Sequence, residues 1–269
     1  MSTTLNQRNI GDILGDTFRI YGRHFWKLLA ITAIVLGVLG IIGTVAGFGL
    51  LNLAMTWWWT GGLTAWLIAG PIILVVANIV GGILMAGALV HAVSEQYLRQ
   101  SISIRQAYSF AWRRLGAMIG AGILTFLVIG GITAVSVLVT TFSWVGWILV
   151  IVCACAGIYL GISWILIFPA ALLEGVGPIA ALSRSYSLVR NSWWRVLGIT
   201  LVVGLISGVI SIVLGLIPVV GFIIASILVA PIYTIANTLL YYDLRVRKEE
   251  YTLEALSSEL HIEIDSDVT

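Results

Sequence analysis

Three long stretches of this chain hold no Lys, Arg, Asp or Glu: residues 28–94, 115–173 and 196–242, which are 67, 59 and 47 residues long. Charged residues make up 10% of the whole, against about 25% in a soluble globular domain, and mean hydropathy is +1.07. That deficit excludes a water-soluble fold. It also removes the mid-membrane carboxylates and amines on which proton- and sodium-coupled transporters usually depend. Histidine is scarce: His24, His91 and His261 are far apart and lack metal-ligand spacing. There is no His-Glu-x-x-His, no Gly-x-Ser-x-Gly, no P-loop and no Gly-x-Gly-x-x-Gly, so the signatures of zinc proteases, serine hydrolases and nucleotide sites are missing. We expect no catalysis, no cofactor and no metal. Cysteine is limited to Cys153 and Cys155. Two residues apart on a helix, they point about 200° away from each other, and they read as small apolar packing residues rather than a redox pair.

What is present is charge on one side. All fourteen Lys and Arg residues lie in segments 1–27, 95–114, 174–195 and 243–269, with four, four, three and three of them respectively. One membrane span takes roughly 20 apolar residues, so each uncharged stretch accommodates two spans and a turn. Three hairpins then put every charged segment on the same side, which the positive-inside rule makes cytoplasmic. The expected fold is an all-α integral membrane protein with six transmembrane helices near 28–52, 64–92, 116–140, 145–171, 196–216 and 220–242, and with both termini in the cytoplasm. Residues 1–27 are polar and charged, unlike a cleavable signal peptide, so the first span is expected to act as an uncleaved anchor. The net charge of +2 does not suggest a nucleic-acid partner. Basic residues flanking apolar spans suggest the bilayer and its anionic headgroups, at roughly 1 kcal/mol each.

The aromatic residues fit that orientation. Trp57, Trp58, Trp59, Trp144 and Trp147 form an expected outer belt, and Trp26, Trp112, Trp193 and Trp194 an inner one. Basic residues beside the inner belt and at the end of the last span complete a candidate headgroup set: Trp26, Lys27, Arg113, Arg114, Arg190, Trp193, Trp194, Arg195, Arg245 and Arg247. The segment from Phe18 to Thr32 aligns with that from Tyr186 to Thr200, matching Trp26 to Trp194 and Lys27 to Arg195; Tyr108 to Arg114 is a weaker third copy. Apolar residues recur every three or four positions in the first copy (Ile10, Ile13, Leu14, Phe18, Tyr21) and in the one beginning at Ile179 (Leu182, Tyr186, Val189). Each reads as an interfacial helix with its apolar face toward acyl chains. The expected unit is interfacial helix plus helical hairpin, repeated in parallel three times over about 9–94, 95–173 and 174–248. A membrane domain of 1–248 is then followed by an acidic cytoplasmic tail of 249–269, a candidate docking peptide for a cytoplasmic or membrane partner.

Within the spans, glycines four apart (43 and 47, 116 and 120, 157 and 161, 204 and 208) suggest close helix packing. Pro71, Pro169 and Pro231 should each kink a span. Asn78 and Asn237 follow two of those prolines and are the candidate intramembrane polar residues, expected to bond a neighbouring helix or a freed carbonyl. His91 reads as an interfacial side chain.

Three passages carry a family resemblance: Ile10-Gly-Asp-Ile-Leu-Gly-Asp-Thr-Phe-Arg-Ile-Tyr21 with Phe25-Trp-Lys-Leu-Leu29; Leu173-Glu-Gly-Val-Gly-Pro-Ile-Ala-Ala-Leu-Ser-Arg-Ser-Tyr186 through Trp193-Trp-Arg-Val-Leu197; and Leu239-Leu-Tyr-Tyr-Asp-Leu-Arg-Val-Arg-Lys-Glu-Glu-Tyr251. The chain resembles the membrane domain of the glycerophosphoryl diester phosphodiesterase family, a group of prokaryotic multi-span proteins. The resemblance implies a prokaryotic cytoplasmic membrane. The family's catalytic domain, marked by His-Arg-Gly and Pro-Glu-Asn motifs, has no counterpart here, so the family name implies no activity. The expected function is a non-catalytic scaffold or accessory, lipid-interacting membrane domain; the alternative is a transporter or channel for an uncharged or lipid-like substrate. A cavity reaching mid-membrane and lined by Asn78 or Asn237 would favour the alternative.

Overall fold

The computed structural model describes residues 9–56, 63–97, 103–140, 146–217 and 220–249. Ten α-helices account for nearly all of them: α1 (Ile10–Arg23), α2 (Phe25–Thr56), α3 (Leu63–Tyr97), α4 (Ile104–Arg113), α5 (Leu115–Thr140), α6 (Gly146–Ser163), α7 (Ile167–Leu173), α8 (Pro178–Val189), α9 (Trp193–Gly215) and α10 (Val220–Glu249). No strand occurs among the described residues. Six segments are long and apolar enough to cross a membrane: Phe25–Thr44, Ala69–Gln96, Leu115–Val139, Trp147–Leu173, Pro178–Gly215 and Val220–Glu249. The protein is an all-α, multi-span membrane protein. The outer turns with Trp57, Trp58, Trp59 and Trp144, and the acidic tail beyond Glu249, lie outside the described residues.

Lipid permits the fold's most obvious trait. A helix that is apolar all round suits a hydrocarbon surround, and the long helices expose Ile72, Val75, Phe126, Leu138, Ile151, Leu205 and Ile212. The buried core gathers instead at the charged end. It contains Leu89 and Val93 of α3, Ala170–Leu173 of α7, and Leu239, Leu240, Tyr241, Tyr242 and Leu244 of α10. Ile13 of α1, Ala107 and Ala111 of α4, and Leu188 and Val189 of α8 seal it from the side.

The short helices are thus not laid wholly on acyl chains as expected. Ile13 and Val189 point into protein, while Ile10, Phe18 and Ile179 remain exposed. Each short helix rests one edge on the bundle, and Tyr108 of α4 donates to the Ile31 carbonyl of α2 at 2.5 Å. Burial there pushes the Tyr108 hydroxyl up to about 12.

The glycine pairs also differ from expectation. Space around Gly43, Gly116, Gly157, Gly161, Gly204 and Gly208 is open, whereas a Cβ on Gly120 would lie 2.6 Å from Pro178 Cγ. Close packing falls at Gly81, against Val35 and Leu39, and at Gly87, against Ala111 and Met118. Neither belongs to a predicted pair. Cys155 is exposed rather than packed.

Of the three prolines, Pro71 and Pro231 sit inside unbroken helices. Pro169 coincides with a break, the turn at residues 164–166 that separates α6 from α7. A proline has no N–H for the carbonyl four residues back, and its ring crowds that turn. Ile165 and Ile167 accordingly bond carbonyls three residues back, at Ile162 and Trp164. The Ser163 carbonyl takes its hydrogen bond from Ser185 Oγ of α8, at 2.9 Å.

Candidate functional site

The end of α10 is amphipathic in a buried setting, and it organises the charged end. Asp243, whose side chain is fully buried, accepts from Arg195 of α9 at 2.9 Å and from Arg247 at 3.0 Å, both through Oδ2. Glu174, in the link from α7 to α8, accepts from Arg184 Nε at both oxygens, 2.7 and 2.9 Å, and from the Tyr241 hydroxyl at 2.6 Å. Arg184 also pairs with Glu249, and Arg245 reaches Glu249 at 3.2 Å and the Tyr241 hydroxyl at 3.3 Å. Glu174, Asp243 and Glu249 thus hold Arg184, Arg195, Arg245 and Arg247 in one linked wedge. Tyr242 carries the tie to α3, donating to Ser94 Oγ at 2.7 Å.

Beside this wedge, the chain turns from α8 into α9 through a short 3-10 turn, Arg190–Ser192. A notch of about 670 Å³ opens there, lined by Tyr159, Arg190, Asn191, Ser192, Trp193, Trp194 and Arg195. Trp193 stacks on Tyr159 at 5.7 Å and 23°, and Trp194 stands edge-on to it at 5.0 Å. Trp194 is 79% exposed, while Arg195 is held back by Asp243. Exposed Arg190 is therefore the notch's outward cation. The other two passages from short to long helix carry the same element, with Trp26 exposed at 78% and Trp112 at 64%. Exposed Lys27 and Arg113 stand next to them.

A second cavity, of about 640 Å³, lies deeper, between α3, α5, the α6–α7 break and α10. Its walls include Phe126, Trp164, Phe168, Tyr233, Thr234 and Asn237.

No family model, curated protein or solved structure matches this chain. The site is therefore read from its own geometry.

The candidate residues separate into groups. Trp26, Lys27, Arg113, Arg190 and Trp194 face outward at helix junctions. Trp193 is half-buried against Tyr159, and Arg195 and Arg247 are half-buried against Asp243. Two basic residues expected at headgroups turn inward. Arg245 is 7% exposed and committed to the wedge. Arg114 lies over the Phe110 ring at 5.1 Å and donates to the Leu173 carbonyl at 3.3 Å. The guanidinium of Arg114 covers Gly175, which has φ +66°. A left-handed conformation and that close approach both call for glycine.

Asn78 is exposed on α3 and donates to the Leu74 carbonyl of its own helix at 2.8 Å, not to a neighbour. Asn237 lines the deep cavity. His91 is buried, not interfacial: its ring lies 4.4 Å from Phe110, with Nδ1 3.5 Å from Glu95 Oε1. Sequence reading missed the wedge because its carboxylates come from two distant segments, Glu174 from one and Asp243 and Glu249 from α10. The only local signal is the i,i+4 spacing of Asp243 with Arg247 and of Arg245 with Glu249. Asp12 and Asp16, four residues apart on α1, each have a partner nearby in the chain. Asp12 accepts from the Asn9 N–H at 2.9 Å as a helix cap, and Asp16 pairs with Arg19 at 3.2 Å.

Proposed function

We propose that this chain is a non-catalytic, lipid-interacting membrane domain that grips anionic headgroups at the entrances to its odd-numbered spans. The observation that carries this reading is the notch at the head of α9, where exposed Arg190 and exposed Trp194 flank a cleft. Arginine suits phosphate and indole suits the glycerol level of a bilayer. The order of short, long and long helices, three times over, supports three parallel units that present such entrances on one face. That face is cytoplasmic by the positive-inside argument, and the motif resemblance to the phosphodiesterase-family membrane domain supports a prokaryotic plasma membrane. A protein partner would dock there, with the acidic tail as its contact.

Native mass spectrometry of the purified chain tests the reading. The wild type should retain phosphatidylglycerol over phosphatidylcholine, and Arg190→Gln with Trp194→Leu should lower that preference about fivefold, the equivalent of ~1 kcal/mol. An unchanged preference refutes it. Orientation is checked by cysteine labelling of Thr60→Cys and Ser258→Cys in a chain lacking Cys153 and Cys155. Labelling of position 258 from outside intact cells overturns the topology. The second reading, passage of an uncharged or lipid-like substrate, draws on the deep cavity lined by Asn237.

A further inference from the structure

We propose that the cavity between α3, α5, the α6–α7 break and α10 takes one acyl chain of a phospholipid drawn sideways from the bilayer, its ester carbonyl accepting a hydrogen bond from the Asn237 amide. The inference deepens the second reading and is independent of the headgroup notch, which shares no lining residue with this cavity.

Depth comes first. Asn237 precedes Asp243 by six residues, about 9 Å along a helix. Asp243 and its arginines mark the headgroup level, so Asn237 falls near the ester level just inside it. On α5 the cavity runs from Gly122 to Gly130, another eight residues or about 12 Å toward the bilayer centre. The space thus has a polar mouth and an apolar length, in the order that a lipid tail presents them. Its volume lies within the roughly 300–1,000 Å³ of small-molecule sites.

The walls agree. Phe126 and Tyr233, on the rim, are 74% and 39% exposed, and at this depth what surrounds them is hydrocarbon. Water fills an apolar space poorly. The cavity is kept open by absent side chains, since nothing lies within 4 Å of where a Cβ on Gly161 would stand. Non-helical backbone at membrane depth is tolerated where it is buried in protein or lines a cavity, and residues 164–166 form such a break, with Trp164 and Ile165 lining this one. The Asn237 amide makes no hydrogen bond among the described residues, and an ester carbonyl supplies the missing acceptor.

The test is photolabelling of the full chain in nanodiscs of phosphatidylcholine with a mid-chain diazirine, followed by peptide mapping. Label should concentrate on Phe126, Trp164 and Phe168, several-fold above Leu205, an exposed residue of α9 outside the cavity. Gly161→Leu, which fills open space, should lower the cavity label at least fivefold and leave Leu205 unchanged. Asn237→Leu, which keeps the shape and removes the amide, should lower it about fivefold, the ~1 kcal/mol of one hydrogen bond. Equal label on Phe126 and Leu205 overturns the proposal. So does more efficient labelling by a diazirine fatty acid, which would assign the site to single-chain acids. Should Gly161→Leu fail to fold, the wild-type map and Asn237→Leu decide. Arg190→Gln should leave the cavity label intact, so a failed headgroup grip and an empty cavity give different results.

Discussion

At the charged end, Leu239, Leu240, Tyr241 and Leu244 are fully buried and three carboxylates are bound by arginines. Half a helix away, α5 exposes Phe126, Leu127, Val135, Val137 and Leu138, and α9 exposes Leu205, Val209, Ile212 and Val213. The two halves answer to different solvents. In hydrocarbon, an apolar side chain gains nothing by turning inward, so the uncharged half keeps its side chains exposed. Buried polar groups at the other end are costly unless paired, so Glu174 and Asp243 draw α8, α9 and α10 together through their arginines. In this membrane protein the ionic end, not the apolar one, holds the tight core.

That contrast sets the scale of mutational effects. Asp243→Asn should be the most damaging, about 3–5 kcal/mol, because it leaves Arg195 and Arg247 without their shared carboxylate. Thermal unfolding in detergent should show a large drop in Tm, or loss of folded material. Gly175→Ala should cost roughly 1–2 kcal/mol for the left-handed backbone, with further loss as Arg114 is displaced; the same assay measures it. Ser185→Ala removes the donor that caps the Ser163 carbonyl at the α6–α7 break and should cost about 1 kcal/mol. Faster amide exchange at residues 164–167 would mark it. Leu205→Ala and Val209→Ala, in the uncharged half, should shift Tm by less than the equivalent of ~0.5 kcal/mol. A loss there as large as that of Asp243→Asn would refute the contrast.

Much of the fold was legible in the sequence. Uncharged runs of sufficient length give six spans whatever their packing, and the structure places α2, α3, α5, α6–α7, α9 and α10 within a few residues of the expected helices. The ends of α3 and α10 run further than expected, to Tyr97 and Glu249. There the buried polar residues Glu95, Asp243 and Arg245 continue the helix past the apolar run. The site was legible only in part. Trp26, Lys27, Trp194 and Arg190 could be placed because helix entrances are marked by adjacent residues. Arg245 and Arg114 could not, since whether an arginine faces a headgroup or a carboxylate depends on a partner far away in the chain. Glycine spacing misled for a related reason: four-residue periodicity marks a helix face but does not say whether another helix covers it. The break before Pro169, against intact helices at Pro71 and Pro231, is accompanied by a distant donor, the Ser185 hydroxyl on the Ser163 carbonyl, which no local pattern announces.

The partners of the wedge also carry an order in time. Ribosomes deliver α7, α8 and α9 before α10, so Glu174, Arg184 and Arg195 emerge before Tyr241, Asp243 and Glu249 exist to meet them. Until the last helix is made, Asp243 is not there for Arg195 nor Tyr241 for Glu174. Val220–Glu249 thus closes the charged end after the other described helices are in place, bringing the carboxylate that meets Arg195 and the hydroxyl that meets Glu174.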